Sequence, residues 1–273
     1  MSGMDQDELG LTCLIALDEP AEIMASPLRR AFAYAAPRSS LSIEARAPSG
    51  TEQAFVMSVD GHDFAVALFA GQMPLAEYSH AVEKSLFWQD AGAAVSQHRA
   101  FLAVTATGSE YAHGLVRAQA IALTRLAAAL VEVLPASGVF WQVAGTLSPP
   151  ERVARAPSEI DRGKWPVDIW IGWKMFGEDD PDQPVLGLVT RGADSFLGFE
   201  LAVPPFAVTD KKEPLRILHA ASAYLMNYGD VLRDGQKVEV IGERRTTYQL
   251  RMAPTGERVA TLTVLDPTAP TMH

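Results

Sequence analysis

Cysteine is almost absent from this chain, since Cys13 is the only one in 273 residues. A single cysteine cannot form an intramolecular disulfide or a cluster of thiolate metal ligands. The composition therefore predicts a protein of the reducing cytoplasm. The first residues are acidic, whereas a secretory signal peptide begins with a basic region, so we also expect no secretion by that route.

Basic residues are outnumbered, with 23 Lys and Arg against 33 Asp and Glu and a formal net charge of −10. Nucleic acids and anionic membranes bind proteins largely through Lys and Arg side chains. We therefore predict that the protein binds no nucleic acid and no membrane. The same charge would suit a basic protein partner.

Apolar runs of membrane-spanning length are also missing. The nearest candidate, 115–134, carries Arg117, Gln119, Arg125 and Glu132. A central Arg in hydrocarbon costs about 2.5 to 3.5 kcal/mol, so the segment predicts a buried helix of a soluble protein instead.

The common catalytic signatures are missing as well: the sequence has no glycine-rich phosphate loop, no Gly-x-Ser-x-Gly and no His-Glu-x-x-His. His80 and Glu83 are spaced to share one face of a predicted helix. His62 and Asp63 lie on a predicted strand, where neighbouring side chains point to opposite faces. Pairs of this kind also occur on solvated surfaces. We predict no cofactor and no metal.

What the sequence does contain is a large apolar fraction, 48%, distributed over alternating short strands and helices. The mixed order predicts an α+β fold with two lobes of mostly antiparallel sheet and packed helices. The lobes are predicted at 9–157 and 158–268, joined by a linker at 156–164, with one continuous domain as the alternative. One long buried helix is predicted near 113–134, and the dipeptide Asp60-Gly61 predicts a type I′ hairpin turn.

The stretch 165–205 holds three of the five tryptophans and predicts three successive strands. In the first of them Val167, Ile169 and Ile171 alternate with other residues, the period of a strand. Large aromatic residues on both of its faces predict a central strand that is covered on each side.

Tryptophan is enriched at the energetic centres of protein interfaces. We therefore consider Trp88, Trp141, Trp170 and Trp173 as candidates for a binding face, with core filling as the alternative. Arg191 and Asp194 bound a predicted turn and are further candidates. Ser195 follows Asp194, but no histidine lies nearby in the sequence to act as its base.

Several segments together resemble an uncharacterised bacterial family, catalogued as domain of unknown function 4261. They are 59–68, 86–91, 98–105, 138–141, 166–171, 186–201 and 232–238. The resemblance spans 40–265 and brings no catalytic residue with it.

Residues 190–205, followed by 214–228 and the Asp234-Gly235 turn, are distantly similar to suppressor-of-fused-type domains. Bacterial relatives of that fold include proteins that bind and neutralise toxins. Arg191 departs from the small residue expected at its position. This second resemblance implies a binding protein.

The leading hypothesis is a non-enzymatic, protein-binding module of the immunity, adaptor or effector-chaperone type. One alternative is a hydrolase or metal-dependent enzyme that uses His62, His80, His98 or His113 with nearby carboxylates. Another is a small-molecule sensor with a pocket between the lobes. Homodimer formation is left open.

Overall fold

A computed structural model of the protein describes residues 11–45, 54–83, 85, 88–108, 113–178, 185–207, 212–228, 235, 237–241, 245–252 and 259–264. The chain divides into an N-terminal unit, Met1–Trp170, and a C-terminal unit, Ile171–His273. Both combine helices with a sheet, which confirms the α+β class. Among the described residues, no helix has the length and apolar character needed to cross a membrane.

The elements of the N-terminal unit are, in chain order, β1 (Thr12–Leu17), α1 (Ala25–Ala35), β2 (Leu41–Ala45), β3 (Ala54–Val59), β4 (His62–Ala70), α2 (Leu75–Glu83), α3 (Ala91–Ser96), β5 (Ala100–Ala106), α4 (His113–Val133), β6 (Ala136–Trp141), β7 (Thr146–Ser148), α5 (Pro150–Ile160) and α6 (Val167–Trp170). The described strands form one antiparallel sheet in the order β2-β3-β4-β5-β1-β6-β7.

Strand β1 lies inside this sheet and is buried along its whole length. Leu14 and Ala16 belong to an apolar cluster with residues of α2 and α3. Because side chains alternate along a strand, Cys13 and Ile15 point to the other face, and α4 contacts β1, β3, β4 and β5. Helices therefore cover both faces of the central strand.

Helix α4 is the long buried helix that the sequence predicted. Leu123, Leu126 and Leu130 are fully buried, and the helix contacts α1 and α5 as well as the sheet. One of its few polar residues, Arg125, forms ion pairs with Asp60 at 3.2 Å and with Asp161 at 2.8 Å.

The hairpin between β3 and β4 turns at Asp60 and Gly61, whose φ angles of 52° and 83° are those of the predicted type I′ turn. Burial acts to raise the pKa of the Asp60 carboxyl. Hydrogen bonds from Ser40 and Ser39 and the charge of Arg125 outweigh that effect, and the pKa lies below its ordinary value. The turn is thereby tied to α4.

Two sequence predictions in the region 156–171 are wrong. The predicted linker at 156–164 begins inside α5, which continues to Ile160. The predicted strand over 167–171 is instead the short helix α6, in which the Ile169 and Trp170 amides donate to the Pro166 carbonyl. A short apolar run fits a buried helical turn as well as a buried strand, so periodicity does not separate them.

The elements of the C-terminal unit are, in chain order, β8 (Gly172–Glu178), β9 (Val185–Arg191), α7 (Asp194–Leu197), β10 (Glu200–Ala207), α8 (Lys212–Tyr228), β11 (Lys237–Ile241), β12 (Arg245–Met252) and β13 (Val259–Val264). The described strands form a sheet in the order β11-β12-β13-β10-β9-β8. Among the described strands of this sheet, only β10 and β13 pair in parallel.

Helix α8 packs on one face of this sheet. Leu218, Ala221 and Leu225 of the helix are fully buried in one cluster with Leu201 and Leu262 of the strands. Of the three strands predicted after residue 165, the second and third correspond to β9 and β10. The first was placed on α6, and the strand that follows it, β8, occupies the edge of the sheet and not its centre.

Candidate functional site

Three of the four tryptophan candidates lie in the interior. Trp141 and Trp170 are 1% and 0% exposed, and their rings lie 6.4 Å apart. The Trp170 indole N–H donates to Thr124 Oγ1 at 2.8 Å, which joins α6 to α4. Trp173 belongs to the core of the C-terminal unit. These three side chains fill cores and do not form an exposed binding face. The fourth, Trp88, is partly buried against the cluster that contains α2 and α3.

The histidine candidates lie on separate elements. His62 begins β4 and is half-buried, and His80 is exposed on α2. Glu83 is the last residue of α2, and its side chain lies outside the described part of the structure. No group of three or more His, Cys, Asp or Glu side chains suited to a metal ion occurs among the described residues.

His98, one of the histidines considered for an enzyme site, is fully buried and has a structural role. Its Nε2 accepts the Met73 amide at 2.7 Å, and Nδ1 lies 2.5 Å from the Val95 carbonyl oxygen. With Nε2 as acceptor, Nδ1 carries the proton and donates to that oxygen. The neutral ring thus links the start of α2 to the end of α3.

Arg191 ends β9 and Asp194 lies in the turn between β9 and β10. This turn is organised by Glu200, which no sequence pattern singled out. Glu200 accepts the Gly192 amide at 2.7 Å, the Ala193 amide at 3.2 Å and the Thr190 hydroxyl. The Thr190 hydroxyl oxygen in turn accepts the Leu201 amide at 2.8 Å. One partly buried carboxyl group therefore holds the turn through three hydrogen bonds.

The electrostatics of this turn raise the pKa of the Glu200 carboxyl group. Burial raises the pKa of Glu200, and the nearby Asp194 raises it further by its charge and by a hydrogen bond between the two side chains. The Thr190 hydroxyl and the Gly192 amide act in the opposite direction without cancelling the rise. The arrangement explains the shape of the turn.

The C-terminal unit exposes large apolar side chains on β8. Met175 is 39% exposed and Phe176 is 48% exposed. Because they are neighbours on a strand, they point to opposite faces of the sheet. Met175 pairs with the buried Leu188 on the face that α8 covers, and Phe176 pairs with Gly187 on the other face.

The Phe176 ring rests directly on Gly187. A Cβ atom added at Gly187 would lie 2.2 Å from Phe176 Cζ, closer than atoms can approach. Glycine is therefore required beneath the ring, and the ring is held against the sheet while half its surface stays open. This is the geometry of an aromatic side chain that covers a glycine on a neighbouring strand.

The backbone of β8 is paired on one side only. All seven of its residues pair with β9, and no other strand within the described ranges pairs with its outer side. An edge strand presents amide and carbonyl groups that a further strand can bind. Together with Met175 and Phe176, this edge can accept an extended polypeptide segment. We call Lys174–Gly177, all four of which are exposed, the β8 edge.

Aromatic residues in this region are typical of a buried strand, and the sequence therefore predicted a central strand covered on both faces. Only the strand register, which places Phe176 over Gly187 at the margin of the sheet, distinguishes this edge strand from a buried one.

A scan against protein-family models gave no match, and searches of curated proteins and of solved structures gave none either.

Proposed function

We propose that this protein is a non-enzymatic, protein-binding module that captures an extended segment of a partner protein along the β8 edge. The observation that carries the proposal is an edge strand with exposed apolar side chains on both of its faces. In β-strand addition, backbone hydrogen bonds supply affinity, and side-chain contacts on alternate positions supply selectivity.

Phe176 is the expected centre of the contact. Its ring is already held over Gly187, so binding would cost little side-chain entropy. Burial of its exposed half would add to the backbone hydrogen bonds at roughly 25 cal/mol per Å² of apolar surface. Met175 offers a flexible apolar contact on the opposite face.

The partner that fits best is a basic protein. The chain carries a net charge of −10, which attracts positively charged partners over distance and repels a second copy of itself. A heterologous partner is therefore favoured over a homodimer formed through β8. The resemblance to suppressor-of-fused-type domains agrees with a role as an immunity protein, adaptor or effector chaperone.

The test compares capture by the wild-type protein with capture by Phe176→Lys, using native lysate and quantitative mass spectrometry. A charged residue on the edge opposes pairing with a further strand. We expect a stoichiometric partner that the wild type retains and that Phe176→Lys loses by about tenfold or more. Thr263→Lys is the matched control, since Thr263 is exposed on β13 of the same sheet but away from the edge.

Equal capture by Phe176→Lys would remove β8 from the contact, and the absence of any stoichiometric partner would overturn the proposal as a whole. Metal analysis of the purified protein addresses the rival hypothesis of an enzyme. Tightly bound metal at unit stoichiometry, lost on His→Ala substitution, would favour that rival. A dimer that dissociates on Phe176→Lys substitution would identify a second copy as the occupant.

A further inference from the structure

Helix α1 of the N-terminal unit presents an unusual outer face. It buries only Leu28 and Phe32 among its residues. Tyr34, near its end, is 90% exposed, and Met24, which precedes its first residue, is 58% exposed. A tyrosine with almost its entire side chain in water covers no part of the unit's core.

Arginine accompanies these exposed side chains. Residues 23–40 contain Arg29, Arg30 and Arg38 and neither Asp nor Glu, in a chain with 33 acidic residues. All three are exposed. Arg30 and Tyr34, four residues apart on the helix, lie on one face. We call Arg29, Arg30, Tyr34 and Arg38 the α1 patch.

The arginines of the patch are not occupied as other arginines of this unit are. Arg125 pairs with two carboxylates, and so does Arg152. Within the described ranges, Arg29 and Arg38 form no ion pair, and Arg30 makes only a 3.2 Å contact with Ser26 Oγ on its own helix. Three guanidinium groups therefore keep their donors available for a ligand.

We infer that the α1 patch binds a short acidic segment of a protein, one in which carboxylates flank an apolar side chain. The guanidinium fork matches a carboxylate and can bind it through two hydrogen bonds. Tyr, Met and Arg are enriched at the centres of protein interfaces, where Tyr supplies apolar area together with a polar tip. The patch lies on a different unit from the β8 edge and does not depend on it.

The net charge of the whole chain favours a short acidic protein segment over larger anions such as nucleic acids and membranes. Nucleic acids and anionic membranes extend far beyond three arginines and would meet the repulsion of a protein with net charge −10. A short segment with a few carboxylates is confined to the patch. Its apolar residue can contact the Tyr34 ring, a contact that a phosphate backbone does not offer.

The experiment uses the full-length protein and a phage-displayed library of random peptides. Selection on the wild type is followed by counter-selection on the double variant Arg30→Glu, Tyr34→Ser. We expect peptides that depend on the patch to be enriched in Asp and Glu around an apolar residue. Each substitution is also measured singly by fluorescence anisotropy. It should lower the affinity for these peptides by about tenfold or more, a difference of about 1.4 kcal/mol in binding free energy.

Arg251→Glu is the matched control, because Arg251 is an exposed arginine on β12 of the other unit. It makes the same charge reversal and should leave peptide affinity within about twofold of the wild type. Equal weakening by Arg251→Glu would mean that net charge, not the patch, governs binding and would overturn the inference. So would the recovery of only neutral or basic peptides.

A second pair of probes separates an acidic peptide from a polyanion. Duplex DNA and phosphatidylserine vesicles are titrated with the wild type and with Arg30→Glu. Tighter binding of either probe than of the selected peptides, lost in Arg30→Glu, would overturn the inference in favour of a polyanion site. Phe176→Lys should leave all these measurements unchanged, so failure at the α1 patch is distinguishable from failure at the β8 edge.

Discussion

At the scale of single residues, Glu200 has a structural role that its residue type alone does not predict. Glu200 is an acidic residue in an apolar strand, and it is the acceptor for two backbone amides and one hydroxyl. Its burial and the proximity of Asp194 raise its pKa. The contribution of Glu200 to the free energy of unfolding therefore depends on pH.

We predict that Glu200 makes the protein less stable as pH rises. A carboxyl whose native pKa is raised binds more protons in the folded than in the unfolded state. Its contribution is therefore fully present below the ordinary pKa of 4.5 and is lost as pH rises through the native value. Urea unfolding at a series of pH values should show this slope in the wild type and not in Glu200→Gln.

Glu200→Gln should also lower the free energy of unfolding by about 1 to 3 kcal/mol near the lower end of the series, because an amide has one acceptor oxygen where the carboxyl has two. Asp194→Asn is the control for the charge contribution, since it removes one cause of the raised pKa. It should make the slope shallower. An identical pH dependence in the wild type and both variants would show that the pKa of Glu200 is not raised in the folded protein.

At the scale of elements, β8 shows how a neighbouring strand determines the role of a side chain. Phe176 and Trp173 are both aromatic residues on one strand. Trp173 is buried on the face covered by α8, and Phe176 lies half exposed over Gly187 on the opposite face. The difference arises from strand alternation and register together.

We predict that the effect of Gly187→Ala on the free energy of unfolding depends on residue 176. The substitution should destabilise the wild type and stabilise a Phe176→Ala variant. In the wild type the new methyl group would displace the Phe176 ring, and we expect a loss of about 1 kcal/mol in the free energy of unfolding. In a Phe176→Ala background the clash is absent. Alanine is preferred to glycine within a strand, so the same change should there stabilise the protein by about 0.5 to 1 kcal/mol.

Chemical denaturation of the wild type, Gly187→Ala, Phe176→Ala and the double variant gives the coupling free energy between the two positions. Met175→Ala provides the reference background, because Met175 lies on the same strand but points to the other face. Gly187→Ala should cost the same there as in the wild type. A cost that is independent of Phe176 would contradict the packing of the ring on Gly187.

At the scale of the whole molecule, the chain forms two units with separate cores. Cys13 is fully buried in the N-terminal unit, and burial raises the pKa of its thiol to about 12. Reaction with thiol reagents requires the thiolate and access to it. The single cysteine is therefore a specific probe of the N-terminal core.

We predict that the fragment 1–170 folds alone and protects Cys13 from Ellman's reagent. Its reaction rate in buffer should be at least about a hundredfold below the rate in denaturant, as in the full-length protein, because both values follow the equilibrium for opening of the core. Leu123→Ala, which opens a cavity in the same core, should speed the reaction in both. Rapid labelling of the fragment but not of the full chain would mean that the units are not independent.

Much of the fold could be predicted from local pattern. The Asp60-Gly61 hairpin follows from residues that adopt positive φ, and α4 follows from a long apolar period interrupted by a narrow polar stripe. Strands β9 and β10 follow from β-branched and aromatic runs between turn residues. These features depend on interactions between residues close in sequence, so the sequence carries enough information to predict them.

Sequence alone determined the α+β class, the acidic surface charge and the single thiol. Tertiary structure decided that 167–170 is helical, that β8 is an edge strand, that Trp141 and Trp170 are interior, and that Phe176 and Tyr34 are open to solvent. The physical reason is that exposure depends on which distant segment lies opposite a residue. Gly187 beneath Phe176, or the absence of a strand beside β8 in the described structure, is a property of the assembled sheet and not of the local sequence.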